Sequence, residues 1–423
     1  MSLAEKPGYK STPCGWIPAA WSAEKLSGLV DVIYGKSPAD IKRSERGIPI
    51  YGTGGISGYT DSPLYEGPSI ILGRKGTIDK VQRSDGPFWA IDTTFYTTPK
   101  VTFDWSWLYY CISSFDLRKL NEASGVPSLS RDSLESLDIA LPPLPEQQKI
   151  AAILTAVDDK LDVIARQIDA TQTLKQGLMQ TLFSKGVGTQ DATGRWIPHT
   201  EFKDSELGKI PALWDVGAIA DYVSALRSGV SVNAEDRVHG DDEVGVLKVS
   251  CVSRGGFYPN CHKTVVPEER ERVAEPVLQG RIIVSRANTP ALVGESAYVD
   301  SAWPNLYLPD KLWQIEPSER PHSIKWLSFY LQSPFARQEI SKAATGTSGS
   351  MKNIAKPAFL SIRMPLVPLA EQEHIAAILS GVTSKIEALS SKQGHYQTFK
   401  RGLMQKLLTG EWPVKLDSPS GTV

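Results

Sequence analysis

The residues of this chain best equipped for chemistry are polar side chains on loops that follow apolar strands. The chemistry they suit is hydrogen-bonded recognition. Arg74 and Lys75 sit between Gly73 and Gly76, directly after the apolar run Ile70-Ile71-Leu72. Arg286 and Asn288 hold a comparable place after the apolar run at 281–284. A guanidinium can donate two parallel hydrogen bonds to guanine O6 and N7, an Asn amide can pair with adenine N6 and N7, and a Lys ammonium can reach phosphate. Thr53 is at the tip of the Gly-rich loop 52–58. Ser128 and Arg131 share one polar stretch. Ser348, Lys352 and Asn353 lie in and after another, Gly346-Thr347-Ser348-Gly349-Ser350, which could order on a phosphate backbone. A solvated turn fits each of these loops as well, and the sequence by itself leaves both readings open.

Motifs for making or breaking bonds are missing. There is no G-x-x-x-x-G-K-[ST] phosphate loop and no HExxH. Nor is there the dipeptide-Pro-Pro-aromatic stretch that amino-methyltransferases place around a target base. Gly52-x-Gly54 has the spacing GxGxxxG, with no βαβ unit and no acidic residue about twenty positions on, so a tight turn is expected rather than a dinucleotide site. Cys251, Cys261 and His262 lack a fourth ligand at a usual zinc spacing, and the four cysteines form no CxxC pair. Incidental thiols are expected, with no metal and no catalytic residue in this chain.

Composition is that of an ordinary globular protein. The 423 residues are 41% hydrophobic and 22% charged, with a formal net charge of −1. Residues 1–145 hold 15 Lys and Arg against 16 Asp and Glu, and residues 216–368 hold 17 against 16. A simple basic nucleic-acid-binding protein would have a pI above about 9. Any such surface here must be local, or shared with a partner. The first ten residues, MSLAEKPGYK, contain no apolar stretch of the secretory kind, so a reduced, cytoplasmic setting is expected.

The elements that must position these loops are announced by a repeat. Residues 143–154 are PLPEQQKIAAIL and residues 368–379 are PLAEQEHIAAIL, and the offset of 225 holds without a gap to GLMQ at 177–180 and 402–405. Both copies carry apolar residues at alternating four- and three-residue spacing. The first has Ile150, Leu154, Val157, Leu161 and Ile164; the second has Ile375, Leu379, Val382, Ile386 and Leu389. That is the seam of a coiled coil. Each helix should run for about 37 residues, roughly 55 Å at 1.5 Å per residue. Glu146 and Glu371 fall in the first turn, where an acid suits the helix dipole.

A second echo aligns residues 9–21 with 202–214, at an offset of 193. Each half is then a repeated opening, a block of its own, and a long helix. The blocks, near 22–140 and 215–365, share little sequence. Strand and turn signals dominate both, with helical spacing at Trp105–Leu120 and Ile324–Ser341. Similar frames with dissimilar contents are expected where the contents recognise different things. The α+β reading divides the chain into 1–145, a helical spacer 146–186, a linker and second domain 187–369, a second spacer 370–412 and a tail 413–423.

The paired LPPLPEQQKIAAIL and VPLAEQEHIAAIL, each opening a long helix that closes near GLMQ, resemble the specificity subunit of type I restriction–modification enzymes. So do GRKGTIDKVQRSDGPFWAIDTTFYT, GRIIVSRANTPALVGESAYV, SGVPSLSRDSLESL and TSGSMKNIAKPAF. The resemblance covers the whole chain. It implies two mixed α/β target recognition domains at opposite ends of two antiparallel coiled-coil helices, related by a pseudo-two-fold axis. It implies double-stranded DNA as ligand, with a split asymmetric target. It also implies two modification subunits that carry S-adenosylmethionine and methylate adenine N6, and two restriction subunits that use ATP and magnesium, in a bacterial or archaeal cytoplasm. Lys149, Lys160, Arg166 and Lys175, on the outer face of the first helix, are candidates for holding modification subunits. A coiled-coil protein-binding adaptor, or the recognition subunit of a methyltransferase-only complex, would fit the same pattern.

Overall fold

A computed structural model describes residues 6–39, 41–346 and 351–416. Ser348 therefore lies outside the described residues. The chain forms two compact units, residues 1–166 with 390–423, and residues 167–389. The two long helices are Leu144–Lys185 and Leu369–Leu407, and each contributes to both units. The Pro142-Pro143 pair and Pro368 precede them, as proline's restriction on the residue before it favours. The first helix ends at Gly186, whose φ of +68° is the left-handed conformation that glycine adopts without a Cβ clash. In each unit the start of one long helix lies close to the end of the other, so they run antiparallel.

Unit 1 holds two four-stranded sheets. One has the order Val30–Tyr34, Thr94–Pro99, Ser69–Gly73, Gln82–Ser84, all antiparallel. The other has the order Trp89–Ala90, Ile48–Gly52, Gly55–Thr60, Arg43–Ser44, and its first pair is parallel. The apolar run Ile70-Ile71-Leu72 is fully buried in the first sheet, where the sheet is covered on both faces. The aromatic run at 88–96 is not one strand. It turns at residues 91–93 and supplies a strand to each sheet.

Unit 2 repeats this order. Val223–Arg227, Leu312–Pro317, Ile282–Ser285 and Ser296–Tyr298 form the antiparallel sheet. Leu306–Tyr307, Gly245–Leu247, His262–Val265 and Ala234–Glu235 form the other, again with its first pair parallel. The dissimilar blocks therefore share a topology. The helical stretch expected at 324–341 is two helices, Ile324–Gln332 and Pro334–Ala343, because Pro334 cannot continue the first.

The repeated words build the frame around each pair of sheets. In unit 1, Ser22–Lys25 pairs with Asp138–Leu141; in unit 2, Asp215–Ala218 pairs with Arg363–Leu366. Gln147 accepts from the Asp104 amide at 2.9 Å and donates to the Pro142 carbonyl at 2.8 Å. Gln372 does the same with the Ser323 amide at 2.9 Å and the Val367 carbonyl at 2.7 Å. Asp104 and Ser323 are the N-caps of Trp105–Ser113 and Ile324–Gln332. Each Gln thus ties the start of a long helix to the start of a short one. Glu146 and Glu371 do more than complement a dipole. They accept the indole N–H of Trp21 and Trp214, the last residues of the two opening words.

Most seam positions are core. Ile150, Leu154, Val157 and Ile164 are buried, as are Ile375, Leu379 and Leu389. Leu161, Val382 and Ile386 are only half-buried, so the seam is thinner there than the spacing implied.

Candidate nucleic-acid interface

In unit 1 four loops meet where the buried strand Ser69–Gly73 ends. The Arg74 and Lys75 amides both donate to the Thr93 carbonyl, at 2.8 and 3.2 Å. The Leu129 amide donates to the Arg74 carbonyl at 2.9 Å, and Lys75 and Ser128 form a bridge. Thr53 completes the group: a Cβ on Gly76 would stand 3.7 Å from its hydroxyl. The Arg74 guanidinium donates to the Asp92 carbonyl at 3.1 Å and lies 5.1 Å from the centre of the Tyr34 ring. These contacts fix its orientation without neutralising it. Lys75 is exposed.

Unit 2 builds the same corner from different residues. The Arg286 amide donates to the Lys311 carbonyl at 3.1 Å, and the Ile354 amide donates to the Arg286 carbonyl at 3.0 Å. Leu129 and Ile354 are equivalent in the 225-residue repeat, so Arg74 and Arg286 hold equivalent places. The Arg286 guanidinium donates to the Asn353 side chain at 3.3 Å and lies 5.9 Å from the Trp313 ring. Asn288 pairs with Lys352, and Ala287 with Asn353, as a two-residue antiparallel ladder. Lys352 and Asn353 are therefore strand residues rather than part of an open loop. The Asn288 side chain donates to Ser285 Oγ at 3.3 Å and accepts from the Thr289 amide at 2.9 Å.

Arg131 does not hold the place in unit 1 that Lys352 and Asn353 hold in unit 2. In the repeat, Asn353 corresponds to Ser128, and Arg131 corresponds to Lys356. Arg131 opens the helix Arg131–Glu135 and donates to Glu135 at 2.7 Å, which holds its guanidinium firmly protonated. Lys356 opens Lys356–Leu360 and donates to the Leu226 carbonyl at 2.7 Å. Nearby, the Ser130 and Ser133 hydroxyls hold the Glu122 carboxyl below the usual range.

Three contributors carried little sequence signal. Tyr34 is 47% exposed beside Arg74. Lys80 is exposed and donates to the Gly54 carbonyl in the Thr53 loop. Lys311 lines a groove of about 460 Å³ together with Lys248 and Lys263, and Lys248 pairs with Asp236. Asp79-Lys80 and Asp310-Lys311 look like chance pairs in sequence; only the fold brings their lysines to these corners.

The His262 imidazole is engaged within the protein. His262 Nε2 accepts from the His239 amide at 2.9 Å, and Nδ1 lies 2.6 Å from the Pro259 carbonyl. Both ring nitrogens are thus used within the protein. Cys251 is buried.

Among the outer-face candidates, Lys160 and Arg166 are exposed and Lys149 is half-buried. Lys175 is also half-buried, 5.4 Å from the Phe329 ring, and desolvation lowers its pKa. No helix among the described residues is long and apolar enough to cross a membrane.

Comparison with known proteins decides the family. The model of the type I restriction modification DNA specificity domain matches twice, at residues 18–172 and 214–393. The chain belongs to the type I restriction–modification specificity-subunit family. The two matches fall on the two sheet-bearing blocks and run into the long helices. The MjaVIII specificity subunit of Methanocaldococcus jannaschii is 29% identical over 304 residues, covering 71% of this chain and 68% of that protein. The MjaX specificity subunit of the same organism is 25% identical, covering 98% and 99%. In fold, the chain is similar to the crystal structure of a type I S subunit from M. genitalium, with a TM-score of 0.60, 17% identity and coverage of 92% and 96%. This specificity subunit thus carries two target recognition domains on one pair of helices.

Proposed function

We propose that each target recognition domain of this specificity subunit reads one half of a split, asymmetric duplex sequence, with Arg74 and Arg286 at the two points of contact. The equivalence of these arginines carries the reading. Each follows a central buried strand, and each is held by the same backbone bond from the repeated frame. Their neighbours differ: Lys75, Ser128 and Thr53 in one, Asn288, Lys352 and Asn353 in the other. The same scaffold therefore presents two different sets of donors, as unlike half-sites require. Near-neutral charge is compatible with this if partner subunits supply much of the phosphate contact, which dominates affinity.

The chain itself supplies sequence choice and a scaffold, not catalysis. Two modification subunits bind the long helices through faces that include Lys149, Lys160, Arg166 and Lys175. Those subunits hold S-adenosylmethionine and methylate adenine N6. Two restriction subunits, using ATP and magnesium, complete a nuclease in the cytoplasm. Purified chain incubated with target DNA and labelled S-adenosylmethionine should transfer no methyl group until modification subunits are added. Methyl transfer by the pure chain would overturn the division of labour.

A further inference from the structure

The duplicated frame is not filled in the same way in its two copies. Three positions differ in size. Leu207, Tyr330 and Phe183 of unit 2 correspond to Cys14, Cys111 and Leu408 of unit 1. The first correspondence follows the 193-residue echo and the third the 225-residue repeat. The second follows the equivalent helices Trp105–Ser113 and Ile324–Gln332, whose Trp107 and Trp326 are both fully buried. In unit 2 the large side chains pack on one another. The Phe183 and Tyr330 rings meet edge to face at 5.4 Å, and Leu207 packs against the same core. In unit 1 the three smaller residues border an open cavity of about 900 Å³.

The walls of that cavity have a definite chemistry. Cys14, Cys111, Met404 and Leu408 supply its apolar lining, and Asp138, which pairs with Lys25 at 2.6 Å, lines it as well. Burial pushes the Cys111 thiol up to about 12, so it stands there as a neutral, polarizable surface. Ser113 Oγ is buried without a hydrogen-bond partner. Arg401 is at the edge, exposed, with no ion pair or hydrogen bond among the described residues. Its neighbour Lys400 is committed, paired with Asp158 at 2.6 Å and 5.1 Å from the Tyr110 ring.

We propose that this cavity of unit 1 is a binding pocket for an aromatic group that bears an anion. The ring would occupy the space that unit 2 fills with its own Tyr330 and Phe183. The anion would meet Arg401. A guanidinium with no ion pair at the mouth of a partly apolar pocket favours an acid.

The chemistry could come from a free aromatic acid or from an aromatic side chain next to an acidic residue in a polypeptide. Calorimetric titration of the full chain with indole-3-acetate, N-acetyl-Asp-Trp-amide and uncharged 3-methylindole separates these sources. One of the two acids should bind with 1:1 stoichiometry, and the tighter one identifies the source. Cys111→Tyr, which installs the unit 2 residue, should abolish binding, and Leu408→Phe should do so independently if the first variant misfolds. Arg401→Ala should weaken the acid by about tenfold and leave 3-methylindole unchanged. The proposal fails if neither acid binds at ~5 mM. It fails equally if a filled variant with native circular dichroism binds as the parent does, or if Arg401→Ala has no effect on the acid.

Discussion

The Trp214 indole donates to the buried carboxylate of Glu371 at 2.8 Å, and the Trp21 indole donates to Glu146 at 2.9 Å. These bonds join the last residue of each opening word to the first helical turn of each closing word. The sequence shows the words at offsets of 193 and 225; the fold brings each pair together across its whole intervening block. Whatever the block between them contains, the frame closes on the same bond.

The two closures differ in strength. Glu371 also accepts from the Val187 amide at 2.8 Å, the Gly188 amide at 3.1 Å and His199 Nε2 at 3.0 Å. It is 2% exposed, while Glu146 is half-buried. Removing a buried acceptor leaves its donors unpaired at about 1–3 kcal/mol each, with partial relief by water. Glu371→Ala should therefore cost about 3–5 kcal/mol and Glu146→Ala about 1–2 kcal/mol. Urea denaturation followed by tryptophan fluorescence checks the order. Equal losses would mean that the extra bonds to Glu371 contribute nothing.

Burial separates the seam positions. Leu154 and Leu379 are fully buried, whereas Leu161 and Ile386 are half-buried. Leu154→Ala and Leu379→Ala should each cost about 2–5 kcal/mol, and Leu161→Ala and Ile386→Ala about half as much. A heptad pattern alone would predict equal values. Equal measured losses would place Leu161 and Ile386 in a core as dense as that around Leu154.

Arg286→Ala should relax recognition of one half-site and leave the other intact, and Arg74→Ala should do the reverse. A base-edge contact is worth about 1–3 kcal/mol of discrimination. Contact with phosphate would instead weaken all sequences alike and reduce the salt slope by about one. Binding of the assembled complex to single-base variants at several salt concentrations distinguishes these outcomes. If neither affinity nor specificity moves, the guanidinium serves only its protein partners, Asn353 and the Trp313 ring.

The long helices and their pairing are legible in the sequence because heptad spacing directly encodes a buried stripe. The shared topology of the two blocks is not. Strand order depends on backbone pairing, which Ile70-Ile71-Leu72 and Ile282-Ile283-Val284 serve equally well without a matching context. Arg74 and Arg286 stand out because each ends an apolar strand. Tyr34 and Lys311 do not, because each reaches its corner from a distant part of the chain; Lys80 does not, because only its bond to the distant Gly54 carbonyl gives it a place there. Lys352 and Asn353 follow a Gly/Ser run that suggests an open loop, and a long-range pairing with Ala287-Asn288 makes them a strand.

Independent reading of two half-sites is the central claim, and exchange of one block tests it most directly. Residues 22–140 would be replaced by the equivalent block of another specificity subunit. The hybrid would be expressed with its modification subunits, and methylated adenines would be mapped by sequencing the host genome. One half of the methylated motif should change while the other half and the spacing between them stay as they were. A motif changed in both halves, or one unchanged throughout, would contradict two independent readers on a common frame.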